Sequence, residues 1–214
     1  MKKCINLMLV TLLSMCILVS CKKSTSKDYS LSVKDKTWWG VFTYTGQPLQ
    51  YYSVHFNADN TLSWSQLSGN YPGQWTISDR HITFTLAGTN VLNKADISDA
   101  DTLMNISANS NTYVINSCKL VANPPISLDN TSWSGTITIS GTPYLLLMSF
   151  MPGLKVKVSI GGSVYPVQSY TSSPSGAMQI PISSASYLFA VIAAGNEMKG
   201  CEANPATQWH TTKQ

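Results

Sequence analysis

Residues 154–160 are Leu-Lys-Val-Lys-Val-Ser-Ile, in which an apolar side chain stands at every second position. This period of two is typical of a β-strand with one buried face. Residues 81–87 alternate in the same way, with Ile82, Phe84 and Leu86 separated by Thr83 and Thr85. Turn-forming stretches such as 57–61, Asn-Ala-Asp-Asn-Thr, separate the apolar segments. The sequence therefore predicts an all-β protein.

Fourteen short strands are predicted along the chain, with turns every 8–12 residues or so, and this spacing favours a β-sandwich or β-barrel. Residues 186–194, Ser-Tyr-Leu-Phe-Ala-Val-Ile-Ala-Ala, are assigned to a buried strand because they are short and are followed by Gly-Asn. The predicted strands are 37–44, 50–57, 61–67, 74–78, 81–87, 101–107, 112–121, 133–140, 144–151, 154–160, 163–170, 177–183, 186–193 and 206–213.

An internal repeat divides this β region into two copies. The segment 35–40, Asp-Lys-Thr-Trp-Trp-Gly, has a counterpart in 129–135, Asp-Asn-Thr-Ser-Trp-Ser-Gly, at an offset of 94 to 95 residues. The proline pair within 123–128 provides a short linker between the copies. We therefore expect two tandem antiparallel barrel or sandwich repeats, at 35–123 and 127–214. One larger β domain built from both copies is the alternative.

The amino terminus has the layout of a secretory signal, with a basic start, an apolar middle and a small residue before the expected cleavage point. Residues 18–21, Leu-Val-Ser-Cys, resemble the lipobox of bacterial lipoproteins. The resemblance implies that residues 1–20 are removed and that Cys21 carries the lipid that anchors the protein. Residues 21–34 would then form a flexible, Lys- and Ser-rich tether. The implied location is the cell envelope, at the outer membrane or cell surface, facing outside the cytoplasm.

The first copy also resembles the lipocalin-like domains of Gram-negative surface lipoproteins. The similar segments are 37–40 (Thr-Trp-Trp-Gly), 56–61 (Phe-Asn-Ala-Asp-Asn-Thr), 73–77 (Gly-Gln-Trp-Thr-Ile) and 82–84 (Ile-Thr-Phe). Residues 207–213 resemble the closing strand of such domains. The second copy lacks the Gly-x-Trp element, and each copy, at about 90 residues, is short for an eight-stranded barrel. The resemblance implies a lipocalin-like β-barrel.

Charge and composition argue against nucleic-acid binding. The chain has 14 basic and 10 acidic residues, but residues 35–214 contain eight basic and nine acidic ones and therefore carry a net charge of −1. The basic excess belongs to the amino-terminal segments, and the chain contains one arginine, Arg80. A nucleic-acid-binding domain would concentrate Lys and Arg on one face.

Two cysteines, Cys118 and Cys201, remain after the lipidated one. In an exported protein they could form a disulfide that ties the two repeats together, and two separate buried thiols are the alternative. Neither a Cys-x-x-Cys motif nor clustered histidines accompany them, so we expect no metal site and no cofactor.

The sequence offers little for catalysis. Glu197 and Glu202 are placed in a loop, and the acidic stretch 96–101 is interpreted as a solvated loop because it lacks the Gly and Glu of an EF-hand. No Gly-x-Ser-x-Gly motif occurs. The three histidines, His55, His81 and His210, stand alone on predicted strands or beside turns. We therefore expect a protein that is not an enzyme.

Aromatic residues are the better indication of function. Rings crowd the first copy, where they could fill the core or line a pocket for a small apolar molecule or a sugar. The ligand-binding candidates are Tyr44, Tyr51, Trp64 and Trp75. Because neighbouring side chains on a strand point to opposite faces, we expect Tyr51 to face outward and Tyr52 inward. The expected function is a membrane-anchored, non-catalytic binding module. The alternative is a structural or protein-interaction module of the envelope.

Overall fold

A computed structural model of the chain describes residues 27–89, 91–98, 100, 104–108, 112–202 and 207–214. The predicted signal peptide, Cys21, and the residues Asp99 and Asp101 lie outside the described part. The described part is all-β, with two curled and nearly closed antiparallel sheets, each forming a barrel-like half. This confirms the predicted fold class.

The first sheet has eight strands in sequential order, which we call the first barrel. Each strand from β1 to β6 pairs with the next, β1 also pairs with β8, and the two edge strands β7 and β8 lie beside each other, so the sheet curls back on itself. Its strands are β1 (Lys36–Tyr44), β2 (Gln50–Phe56), β3 (Thr61–Gln66), β4 (Gly69–Ser78), β5 (His81–Leu86), β6 (Leu92–Ile97), β7 (Met104–Ala108) and β8 (Tyr113–Leu120).

The second sheet repeats this order and forms the second barrel. Its strands are β9 (Thr131–Ile139), β10 (Thr142–Met151), β11 (Lys155–Ile160), β12 (Ser163–Val164), β13 (Gln168–Ser169), β14 (Thr171–Ser172), β15 (Met178–Pro181), β16 (Tyr187–Ala194), β17 (Glu197–Glu202) and β18 (Gln208–Lys213). β13 pairs with β11, and β14 pairs with β15. Only Tyr170 lies between β13 and β14 in the chain. Residues 168–172 thus occupy the fourth strand position of the second barrel. The last strand, β18, pairs with the first, β9.

Two strands were not predicted. β6 was missed because its inward-facing Asn93 is polar and its outward-facing Leu92 is apolar, which breaks the alternation, and residues 96 and 97 are strand rather than loop. β17 was missed because Gly200 and three charged residues interrupt it, so the loop assigned to Glu197 and Glu202 is wrong. The predicted strand 163–170 is instead broken into shorter pieces. Each copy therefore has eight strand positions rather than seven.

The two barrels share one pairing register. Trp38 lies opposite Val54 and Val54 opposite Trp64 in the first barrel. Trp133, Met148 and Val158 form the same row in the second. In each barrel a glycine stands two residues after this tryptophan, at Gly40 in β1 and Gly135 in β9. A side chain at either position would collide with the backbone of the neighbouring strand, β8 or β18. A Cβ at Gly40 would lie 1.8 Å from the carbonyl oxygen of Ser117.

A third buried cluster joins the barrels. It contains Trp39, Val121, Ala177, Phe189, Val191, Ala193 and Cys201, and we call it the interface cluster. Trp39 thus faces out of its own barrel and is covered by the second one, whereas Trp38 lies in the first-barrel core. The Ser175 hydroxyl, fully buried, donates to Ser65 Oγ across the same contact at 2.7 Å.

The barrels lie side by side with matching ends together. Ala122, just after β8, forms a parallel bridge with Ala194 at the end of β16. At the opposite end, Gln208 Nε2 donates to the carbonyl oxygen of Leu49 at 2.8 Å. We call the Leu49 end, which carries the loops after β1, β3, β5 and β7, the open end.

The other end of the first barrel is covered by the incoming chain. A 3-10 helix, Tyr29–Ser32, is capped by the Asp28 side chain, and Val33 is fully buried in the first-barrel core. Residues 29–33 therefore belong to the folded protein and not to a solvated tether.

Candidate functional site

The interior of the first barrel is a column of aromatic rings. Tyr52 and Trp64 stack with their ring centroids 4.0 Å apart, and Phe42 meets Trp64 edge-on at 6.4 Å. Phe84 packs on the other side of Trp64. The rings fill the closed end of the barrel but leave space towards the open end.

That space is a cavity of about 250 Å³. Its lining residues come from β1, β3, β4, β5, β6, β8 and one loop: Phe42, Tyr44, Trp64, Gln66, Tyr71, Leu86, Thr89, Asn93 and Tyr113. The volume corresponds to about eight water molecules at their share of liquid volume. It lies just below the usual range for small-molecule pockets, and it therefore suits a ligand of one or two rings.

One side of the cavity is organised by Gln66, which is buried. Its side-chain oxygen accepts a hydrogen bond from Trp64 Nε1 at 2.9 Å. Its nitrogen donates to Tyr44 Oη at 3.2 Å and to Ser68 Oγ at 2.7 Å, and the Ser68 hydroxyl in turn meets Tyr71 Oη at 3.0 Å. This network fixes the positions of the tyrosine hydroxyls at the mouth.

The other side is built around Asn93 on β6, whose side chain is 1% exposed. The Tyr113 hydroxyl donates to Asn93 Oδ1 at 3.0 Å, and Asn93 Nδ2 donates to the carbonyl oxygen of Phe84 at 3.4 Å. Burial raises the pKa of Tyr113 above its ordinary value, so the phenol stays neutral and remains a donor.

The described residues that line the cavity include none with a formal charge. A charged ligand group would lose its hydration without gaining a counter-charge there. The arrangement can therefore hold a neutral molecule, with aromatic faces on its floor and a few fixed polar groups on its walls.

The structure brings two of the four predicted ligand residues to this cavity. Tyr44 and Trp64 line it, while Trp75 lies near the closed end, where its indole nitrogen donates to the carbonyl oxygen of Asn57 at 3.1 Å. Tyr51 faces outward against the interface cluster, as predicted, and Tyr52 faces inward. Trp75 and Tyr51 are therefore not part of this site.

The second barrel has no such arrangement at the matching positions. Tyr52, Trp64 and Gln66 correspond in register to Leu146, Val158 and Ile160, all of which are buried in the apolar core of the second barrel. Tyr44 corresponds to Ile139 at the same 95-residue offset, and Ile139 packs against that core. The polar and aromatic wall is thus specific to the first barrel.

The titratable residues considered for catalysis lie apart from the cavity. His55 Nδ1 is 2.9 Å from Thr37 Oγ1, and burial lowers the pKa of His55. His81 pairs with Asp96 on the surface. Glu197 pairs with Lys199 at 3.0 Å. Within the described residues, no three His, Cys, Asp or Glu side chains are grouped as metal ligands would be.

The two cysteines are free thiols in separate clusters. Cys118 faces the first-barrel core beside Tyr52, and burial raises the pKa of Cys118 to about 12. Cys201 lies in the interface cluster, and burial raises its pKa to about 11. The structure therefore has the two buried thiols of the alternative and not the disulfide.

No family model, no curated protein and no solved structure matches the chain. Among the residues that the structure describes, no helix combines the length and the apolar character needed to span a membrane.

Proposed function

We propose that the protein is a lipid-anchored envelope protein whose first barrel binds a small, neutral, largely apolar molecule. The observation that carries this proposal is the uncharged cavity at the open end, with its aromatic floor and its fixed polar wall. The second barrel supports it by contrast, because the positions that match Tyr52, Trp64 and Gln66 carry the buried aliphatic residues Leu146, Val158 and Ile160 there.

The anchor rests on the lipobox-like residues 18–21. The described chain meets the first barrel at the end opposite the cavity, where Val33 is buried. Cys21 lies six positions before Lys27, and six positions of fully extended chain span at most about 20 Å. A lipid on Cys21 would therefore hold the closed end near the membrane and leave the mouth accessible from the aqueous phase.

Saturation-transfer NMR on the purified protein tests the binding proposal. Naphthalene, a neutral two-ring probe, should show saturable transfer from the protein, whereas methyl β-D-glucoside should not. If the sugar binds and naphthalene does not, the ligand class is carbohydrate instead. If neither binds, the binding proposal fails.

A matched pair of variants locates the binding. Leu86→Trp places a large ring in the cavity wall, so it should abolish naphthalene binding. Leu145→Trp makes the same change on the outer face of the second barrel, where the leucine is 55% exposed, and should leave binding unchanged. Equal binding by both variants would place the site elsewhere.

A protein-interaction module is the second candidate function, and one observation favours it. On the outward side of β10, Leu145 and Leu147 are exposed. The equivalent positions of β2, Tyr51 and Ser53, are covered by the second barrel. The occupant we favour is a second copy of the chain. Sedimentation velocity should then show a dimer that Leu145→Ser with Leu147→Ser disrupts, and a monomer at all concentrations would remove this candidate.

A further inference from the structure

Among the described residues of the cavity wall, Asn93 is the most deeply buried polar side chain, and its hydrogen-bonding capacity is only partly used. A primary amide has two N–H donors and two acceptor positions on its oxygen. In Asn93, one donor goes to the Phe84 carbonyl oxygen and one acceptor position to the Tyr113 hydroxyl. One N–H and one lone pair are left for a molecule in the cavity.

Gln66, on the opposite wall, is different. Its two N–H groups donate to Tyr44 Oη and Ser68 Oγ, and its oxygen accepts from the Trp64 indole. Both N–H donors of Gln66 are thus used within the wall, whereas one N–H donor of Asn93 is left for a ligand. A buried amide with unused capacity costs stability unless a partner satisfies it.

We propose that the cavity selects a planar ring molecule whose edge carries a donor next to an acceptor, as in a lactam or a cyclic imide. The edge would pair with the free N–H and the free lone pair of Asn93, while the ring would lie among Phe42 and Trp64. This inference rests on the proposed function and names the ligand class of the same cavity.

The second barrel provides the internal comparison. Its sixth strand, β16, turns Leu188 and Ala190 into the interior, where both are buried in the apolar core. In the first barrel, β6 turns Asn93 and Ala95 inward. A buried asparagine in place of an aliphatic residue lowers stability unless it is satisfied, which favours a role in recognition.

Two probes of matched shape test the proposal. Naphthalene and 2-quinolinone both have two fused rings, but only 2-quinolinone has a lactam N–H beside a carbonyl oxygen. Dissociation constants measured by saturation-transfer titration of the purified protein should favour 2-quinolinone by about tenfold or more, since it satisfies two buried groups. Asn93→Leu should remove this preference, so that 2-quinolinone binds no more tightly than naphthalene does.

The outcomes separate this inference from the proposed function. If the unaltered protein binds naphthalene and 2-quinolinone equally, the lactam class is wrong and the apolar binding site stands. If it binds neither, both proposals fail. The comparison of the two probes on the unaltered protein does not depend on the folding of any variant. Asn93→Ala provides a second variant if Asn93→Leu does not fold. Retention of the lactam preference in a folded Asn93 variant would also refute the assignment.

Discussion

Replacing Trp64 with valine, the residue that the second barrel carries at the matching position, should destabilise the first barrel. Trp64 is 3% exposed and stacks on Tyr52 at 4.0 Å. Truncation of a buried tryptophan to alanine costs about 3–5 kcal/mol, and valine retains part of the lost contact. We expect a loss of about 2–4 kcal/mol, of which the aromatic stack contributes about 0.5–1.5 kcal/mol.

The assay is urea unfolding followed by far-ultraviolet circular dichroism, which does not depend on the fluorescence of the altered residue. The expected loss corresponds to a fall of roughly 5–15 °C in Tm for a chain of this size. Trp64→Phe is the control, because it keeps a ring on Tyr52 and only removes the donor to Gln66, at a cost of about 1–2 kcal/mol. A loss below about 1 kcal/mol for Trp64→Val would refute the packing described here.

Three further predictions concern the anchor, the tryptophan pair and the thiols. Cys21→Ser should release the protein from sedimented membranes, and a variant that still sediments would mean that the lipobox assignment is wrong. Trp38→Ala should destabilise the first barrel by about 3–5 kcal/mol, whereas Trp39→Ala should mainly loosen the barrels from each other. Urea unfolding measures the loss of stability, and small-angle scattering measures the separation of the barrels. If the two variants behaved identically, the assignment of Trp38 to the first-barrel core and of Trp39 to the interface cluster would be contradicted. Cys118 and Cys201 should resist a thiol reagent at pH 8 until the protein unfolds, because their raised pKa values keep them protonated. Rapid labelling of the native protein would contradict their burial.

The alternating strands could be predicted from the sequence because each has one apolar face. Val156 and Val158 on β11 and Ile82 and Phe84 on β5 are inward-facing, as their spacing indicates. β6 could not be found in this way, since the polar Asn93 faces inward and the apolar Leu92 faces outward. A polar residue that faces the interior removes the contrast on which the pattern depends.

The candidate site was only partly predictable for a related reason. Aromatic composition pointed to Tyr44 and Trp64, but a ring that fills a core and a ring that lines a cavity look alike in sequence. The difference depends on side chains from distant strands, here Asn93 and Tyr113, which meet only when the barrel closes. Tyr51 was correctly placed on the outer face, yet nothing in the sequence shows that a second barrel covers that face.

The indole region of a ¹H–¹⁵N correlation spectrum, recorded during titration with 2-quinolinone, tests the central claim most directly. The chain has six tryptophans, and the Trp64 Nε1–H is in the wall of the cavity while Trp133 and Trp209 belong to the second barrel. We expect a saturable shift of the Trp64 signal, with the Trp133 and Trp209 signals unchanged. Shifts confined to the second-barrel signals, or no shift at any concentration, would contradict it.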